Sequence, residues 1–147
     1  MEVPDAIEPA VGYRVWFVKE DRIYSYNHGS HWEPMQPFEA QCARKSEHEV
    51  PDERCSCGVY AAATFNRLYK MGYTKESGLF AARSPDDVLI CGEVALWGNI
   101  IPGQHGWRAQ FAYPKRFLVP YSLHRYARPV AEMYGVPYRL FNTQREH

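Results

Sequence analysis

The sequence predicts a small α+β domain in which mixed, mainly antiparallel strands form a partly closed β-barrel, with two helices and a stabilising zinc ion. Three observations predict it. Large rings are abundant, with eleven Tyr, seven Phe and four Trp in 147 residues, and such residues suit pleated, half-buried surfaces rather than disorder. Short apolar and β-branched runs are separated by turn residues, and only two stretches suggest helix. Cys42, His48, Cys55 and Cys57, closed by Gly58, run C-x5-H-x6-C-x-C. Three thiolates and an imidazole are the ligand set of a closed structural zinc site.

The elements follow in order. Residues 11–19 are aromatic and β-branched, and Glu20-Asp21-Arg22 turns them into Ile23–Tyr26 as a β-hairpin. Asn27–Pro37, with two His, a Trp and two Pro, reads as a loop, and Phe38–Cys42 as a short strand leading into the cysteine segment. Val59–Met71 has apolar residues near helical spacing, and Gly72 follows as a C-terminal cap. Ser84–Asp87 is a turn. Val88–Trp97 is a nearly continuous apolar run, as expected of a central strand. Asn99–Gly106 reads as a loop, Trp107–Ala112 and Phe117–Val119 as strands. Pro129 suits the start of a short helix that Gly135 ends, and Val136–Phe141 is the last strand. The whole, 1–147, is expected to be one domain with flexible tails at 1–10 and 142–147.

Seventeen basic residues balance seventeen acidic ones, so no global field draws in nucleic acid or an acidic membrane. Met1–Asp5 lacks the basic start of a signal peptide, and no apolar run approaches the roughly 20 residues of a spanning helix. A cytoplasmic location without membrane contact is therefore expected. Thiols stay reduced there, so clustered cysteines read as metal ligands rather than disulfides. Cys42, Cys55 and Cys57 lie among charged residues with little apolar content, whereas Cys91 lies in an apolar strand and reads as a buried thiol. His48 is the fourth ligand on spacing, with His28 or His31 as substitutes.

Polar groups inside apolar strands mark a second constellation. Period-two alternation places Leu89, Cys91, Glu93, Ala95 and Trp97 on one face, so Glu93 is a carboxylate among apolar neighbours. Such a group needs a partner, and Arg108 in the next strand is the expected one. The pair reads either as a structural tie or as the floor of a ligand pocket, with His105 and Tyr113 at its border. Trp97 would stand in the aromatic wall, and Trp32, flanked by polar residues and Pro, would serve as a lid or stacking platform. G-x-S-x-G, Walker A, G-x-G-x-x-G and H-E-x-x-H signatures are all missing.

The strings Cys55-Ser56-Cys57-Gly58-Val59-Tyr60-Ala61, Gly92–Gly98 and Gly106-Trp107-Arg108-Ala109 with Ala112-Tyr113-Pro114 resemble a group of small bacterial, largely actinobacterial, proteins that carries no established activity. The resemblance spans roughly residues 11–120. The strand Gly-x-Val-x-Leu-Trp-Gly followed by Gly-Trp-Arg-Ala is also similar to PUA-like barrels, including the ASCH and EVE families. That similarity implies a pseudo-barrel that binds RNA or modified DNA bases in a cleft. The reading is thus a zinc-stabilised, non-catalytic binding module for a nucleic-acid base or nucleotide, held near Glu93, Arg108, Trp97 and Trp32. One alternative is a protein–protein adaptor; another is a small hydrolase or transferase using Glu93 and His105.

Overall fold

A computed structural model describes residues 9–26, 29–42, 48–70 and 88–142. The expected cap at Gly72, the turn at Ser84–Asp87, the substitute ligand His28 and the outermost tails lie outside these residues. The described chain is mixed α+β, with eight strands and two helices.

The first hairpin forms as expected. Strand β1, Ala10–Lys19, pairs antiparallel with β2, Arg22–Ser25. Glu20 and Asp21 both take positive φ, 52° and 63°, the conformation of a type I′ turn whose twist matches its strands. Two short strands follow, β3 at His31–Trp32 and β4 at Phe38–Glu39.

Three expectations are corrected in the middle of the chain. Val59–Ala62 is a strand, β5, not the start of a helix. Its residues pair with Gly106–Ala109, and this pairing overrides the loosely helical spacing. The helix α1 begins only at Phe65–Lys70, where the Thr64 hydroxyl accepts the Arg67 N–H at 3.0 Å. Strand β6 runs from Leu89 to Pro102, past the expected end at Trp97. Gly98 (φ 79°) and Asn99 form a bulge between Trp97 and Ile100, so the expected loop over Asn99–Gly106 narrows to Gly103–His105. The two strands expected after it are one, β7 at Gly106–Pro120, with a second irregularity opposite Glu93 and Val94.

Strand β7 is the spine of the sheet. One edge carries β6 almost throughout. The other serves β5 at 106–109, β4 at 111–112 and β8 (Tyr138–Phe141) at 117–120, the last in parallel. Because β1 pairs with both β5 and β6, the pairings close a ring β1–β5–β7–β6. Helix α2, His124–Tyr134, buries Ala127, Val130, Ala131 and Tyr134. Pro129 lies inside this helix rather than at its start, so one helical hydrogen bond, to the Arg125 carbonyl, is forgone. Gly135 ends it in the left-handed region, with Val136 N–H donating to Ala131 and Gly135 N–H to Glu132, a Schellman closure.

The main core gathers Trp16, Trp32, Leu96, Phe117, Val130 and Tyr134. Trp32 is therefore not a loop lid. It is 1% exposed, edge-on to Trp16 at 5.4 Å and stacked on Phe38 at 4.6 Å. Its indole N–H donates to the Ser25 hydroxyl at 2.8 Å. Trp97 is buried as well, stacked on Phe111. Cys91 is fully buried beside Val15, Leu68 and Leu89, as expected. Among the described residues no helix is long and apolar enough to cross a membrane.

Candidate metal centre and adjoining cavity

Strands β4 and β5 dock side by side on one edge of β7, and the cysteine segment connects them. Cys42 leaves β4 and Cys57 enters β5 at that shared edge. One ligand atom from each of Cys42, His48, Cys55 and Cys57 falls within 4.8 Å of all the others, and no disulfide forms. The Cys42 and Cys55 sulfurs are 3.6 Å apart. A tetrahedral shell with metal–sulfur bonds of about 2.3 Å places sulfurs about 3.8 Å apart, so the cluster already has that scale.

Local chemistry shapes each ligand. The Asp52 carboxylate accepts the Arg54 N–H at 2.8 Å, and its carbonyl accepts the Cys55 N–H at 3.1 Å, forming the turn that delivers Cys55. Gly58, at φ 115°, redirects the chain into β5, and a Cβ there would lie 3.0 Å from Pro51 and 3.2 Å from Arg108. The His48 Nδ1–H donates to the Glu49 carbonyl at 2.7 Å, while Nε2 is buried without a hydrogen-bond partner. Once the ring is neutral, that bond keeps the proton on Nδ1 and leaves Nε2 as the nitrogen that would meet an ion. The Glu49 carbonyl, then the Cys55 sulfur, hold the imidazole pKa up to about 9. Burial pushes the Cys57 thiol up, reinforced by Cys55 and Cys42. An ion entering here displaces protons, as metal binding to thiol and imidazole requires.

Arg108 supports this loop from below. Its guanidinium donates to the carbonyls of Cys55, Cys57 (2.9 Å) and Asp52 (3.1 Å). The expected Glu93–Arg108 pair is thereby corrected. Glu93 is held instead by Arg116, whose Nη2 reaches both carboxylate oxygens at 2.9 and 3.0 Å. Arg108 stands opposite Ile101 and Arg116 opposite Glu93, so eight residues of strand, about 25 Å, separate Glu93 from Arg108's level. The same spacing places Glu93 and His105 at opposite ends of the hairpin, so they cannot share one proton-transfer step. Tyr113 is also buried, its hydroxyl accepting the Met35 N–H and donating to the Tyr134 carbonyl, each at 2.8 Å.

A cavity of about 410 Å³ opens on the other side of Arg108. Tyr13 and Arg14 of β1 form one wall, and Tyr60–Ala62 of β5 another. The β6–β7 hairpin closes a third with Ile101, His105 and Trp107. Tyr60 is 49% exposed, and the Arg108 guanidinium lies 5.9 Å from its ring. Arg14 donates to the Tyr60 carbonyl. Gly106 permits the hairpin to press against β5, since a Cβ there would overlap the Ala61 carbonyl. Of the expected ligand-binding residues, the fold brings Arg108 and His105 together at this cavity and leaves Glu93, Trp97, Trp32 and Tyr113 elsewhere. Tyr13, Arg14 and Tyr60 went unread in the sequence. Arg14, a cation inside an aromatic strand, carried the same signal as Glu93.

No family model, curated protein or solved structure matches the chain.

Proposed function

We propose that the chain is a zinc-stabilised, non-catalytic binding module. Its cavity between β1, β5 and the β6–β7 hairpin takes the planar ring of a nucleic-acid base or nucleotide. The observation that carries this reading is Arg108, which grips the carbonyls of the cysteine loop and also lines the cavity beside Tyr60. A filled metal site would hold that loop, and through it the cavity wall, in one geometry. Zinc is the ion of choice because three thiolates and an imidazole complete a tetrahedral shell and leave no open position for water. The ring of four strands then acts as the small, partly closed barrel that a PUA-like fold would use.

Several features support a base as ligand. The volume falls within the roughly 300–1,000 Å³ typical of small-molecule sites. Tyr13, Tyr60 and Trp107 supply aromatic faces, and Arg14, Arg108 and His105 supply positive or polar rims. The separation of Glu93 from His105 counts against the alternative of a hydrolase or transferase using that pair.

Titrating nucleosides and nucleotides into the zinc-loaded protein while following intrinsic Trp fluorescence, to which Trp107 in the cavity wall contributes, tests the reading. A saturable change that Tyr60→Ala weakens roughly tenfold is expected, given about 1–3 kcal/mol per stacked base. A flat response with intact zinc would overturn it in favour of a protein–protein adaptor.

A further inference from the structure

We infer that the cavity takes one nucleoside monophosphate, with its phosphate held beside Tyr60 by Arg14 and Arg108. The inference rests on the reading of the cavity as a base site, and it names the anionic group that such a ligand must carry.

The charge of the lining decides the class. Arg14, Arg108 and His105 line the cavity, and none of its lining residues is acidic. The two guanidiniums meet at one residue. Arg14 donates to the Tyr60 carbonyl, and Arg108, which faces Tyr60 across β5 and β7, lies 5.9 Å from its ring.

These contacts leave the charge in place. Arg108 gives three of its five N–H donors to the carbonyls of Cys55, Cys57 and Asp52. A carbonyl satisfies a donor but carries no net charge to cancel the cation. Among the described residues Arg108 has no ion-pair partner. A half-buried guanidinium in this state gains most from an anion that reaches it. Its bonds to the cysteine loop also hold it still, so little side-chain freedom is lost when that anion arrives.

The same lining selects among nucleotides. A phosphate monoester carries about −1.5 to −2 charge at neutral pH, which two arginines match. A nucleoside triphosphate arrives with Mg²⁺, an ion that proteins hold through carboxylates, and the lining offers none. The volume of about 410 Å³ is near the small end of the range for ligand sites and suits one nucleotide rather than a run of them. Tyr13 and Trp107 line the same space and offer rings to the base. The Ala63 N–H donates to the His105 carbonyl at 2.8 Å, which ties the hairpin turn to the end of β5 and keeps His105 at the rim.

The test is calorimetric titration of the zinc-loaded protein with each common ribonucleoside, its 5′-monophosphate, its triphosphate with Mg²⁺, inorganic phosphate and benzoate. The preferred monophosphate should bind about tenfold or more tighter than its nucleoside, as charge-assisted hydrogen bonds imply. Raising the salt should erode that gain. Arg14→Gln should bring the two affinities close together, and Arg14→Lys, which keeps the charge, should restore most of the difference. The wild-type comparison stands whether or not Arg14→Gln folds. Equal affinity for nucleoside and monophosphate overturns the inference and spares the cavity as a base site. Tighter binding of the triphosphate, or phosphate or benzoate matching the monophosphate, also overturns it. Silence across the whole panel overturns the base-site reading itself, and the inference with it.

Discussion

The guanidinium of Arg108 lies 2.9 Å from the carbonyl of Cys57, so a strand in the centre of the sheet directly supports the loop that carries the candidate metal ligands. Arg108→Gln should therefore lower zinc affinity by about 10–100-fold, the usual cost of removing a group that orients metal ligands. Competition against a chromogenic chelator measures this. Unchanged affinity would mean that the cysteine loop holds its shape without Arg108.

The Glu93–Arg116 pair gives a separate test. Glu93 is nearly buried while the Arg116 side chain is 42% exposed, so solvent weakens the pair. Arg116→Ala should cost about 1–2 kcal/mol, and the double-mutant cycle with Glu93→Ala should show coupling of about 1 kcal/mol. Glu93→Ala and Arg108→Ala should be additive, because about 25 Å of strand separates them. Urea melts of the four variants decide both statements, and coupling between Glu93 and Arg108 would contradict the register.

These two arginines also show where the sequence was readable and where it was not. The hairpin β1–β2, the buried strand around Cys91, the Gly135 cap and the gathering of Cys42, His48, Cys55 and Cys57 were all legible, because each rests on local chemistry or spacing. The partner of Glu93 was not. Asn99–Gly106 reads as a loop, but β7 pairs with Ile100–Pro102, and Gly98 and Asn99 become a bulge inside β6. The hairpin therefore turns at Gly103–His105, and every residue of β6 meets a partner further along β7 than the apparent loop implied. Val59–Ala62 failed for a related reason: its strand state is imposed by Gly106–Ala109, more than forty residues away. Trp32 looked like a loop residue because its neighbours are polar, yet the Ser25 hydroxyl and the Trp16 and Phe38 rings draw it into the core.

Tyr134 predicts a pH dependence. Its hydroxyl accepts the Ile23 N–H at 2.8 Å and donates to the Trp32 carbonyl at 2.5 Å, and burial pushes its pKa up to about 12. A raised pKa on a neutral acid favours the protonated, folded form. Its contribution is thus complete below about pH 10, the unfolded value, and is lost as the pH rises toward 12. Tyr134→Phe should cost about 1–3 kcal/mol at neutral pH by stranding two backbone groups, and should flatten the alkaline loss. Urea melts at pH 8, 9.5 and 10.5 measure both effects; an identical alkaline slope in the variant would contradict them.

Cys91 should behave as an inert thiol. It is fully buried, its Sγ–H donates to the Leu118 carbonyl at 3.3 Å, and burial pushes its pKa far above the ordinary thiol value. Native protein treated with iodoacetamide should leave Cys91 unmodified in a peptide digest. Cys91→Ala should keep its metal and lose only about 1 kcal/mol of stability. Loss of zinc in that variant would contradict the assignment of ligands.

The most direct measurement is elemental analysis of protein purified without chelator, paired with thermal melts of wild type and Cys57→Ser. The account predicts about one zinc per chain in the wild type, and a metal-free Cys57→Ser that melts at lower temperature, because ion binding is coupled to the fold of the cysteine loop. Wild-type protein that contains no metal and gains no stability from added zinc would contradict it.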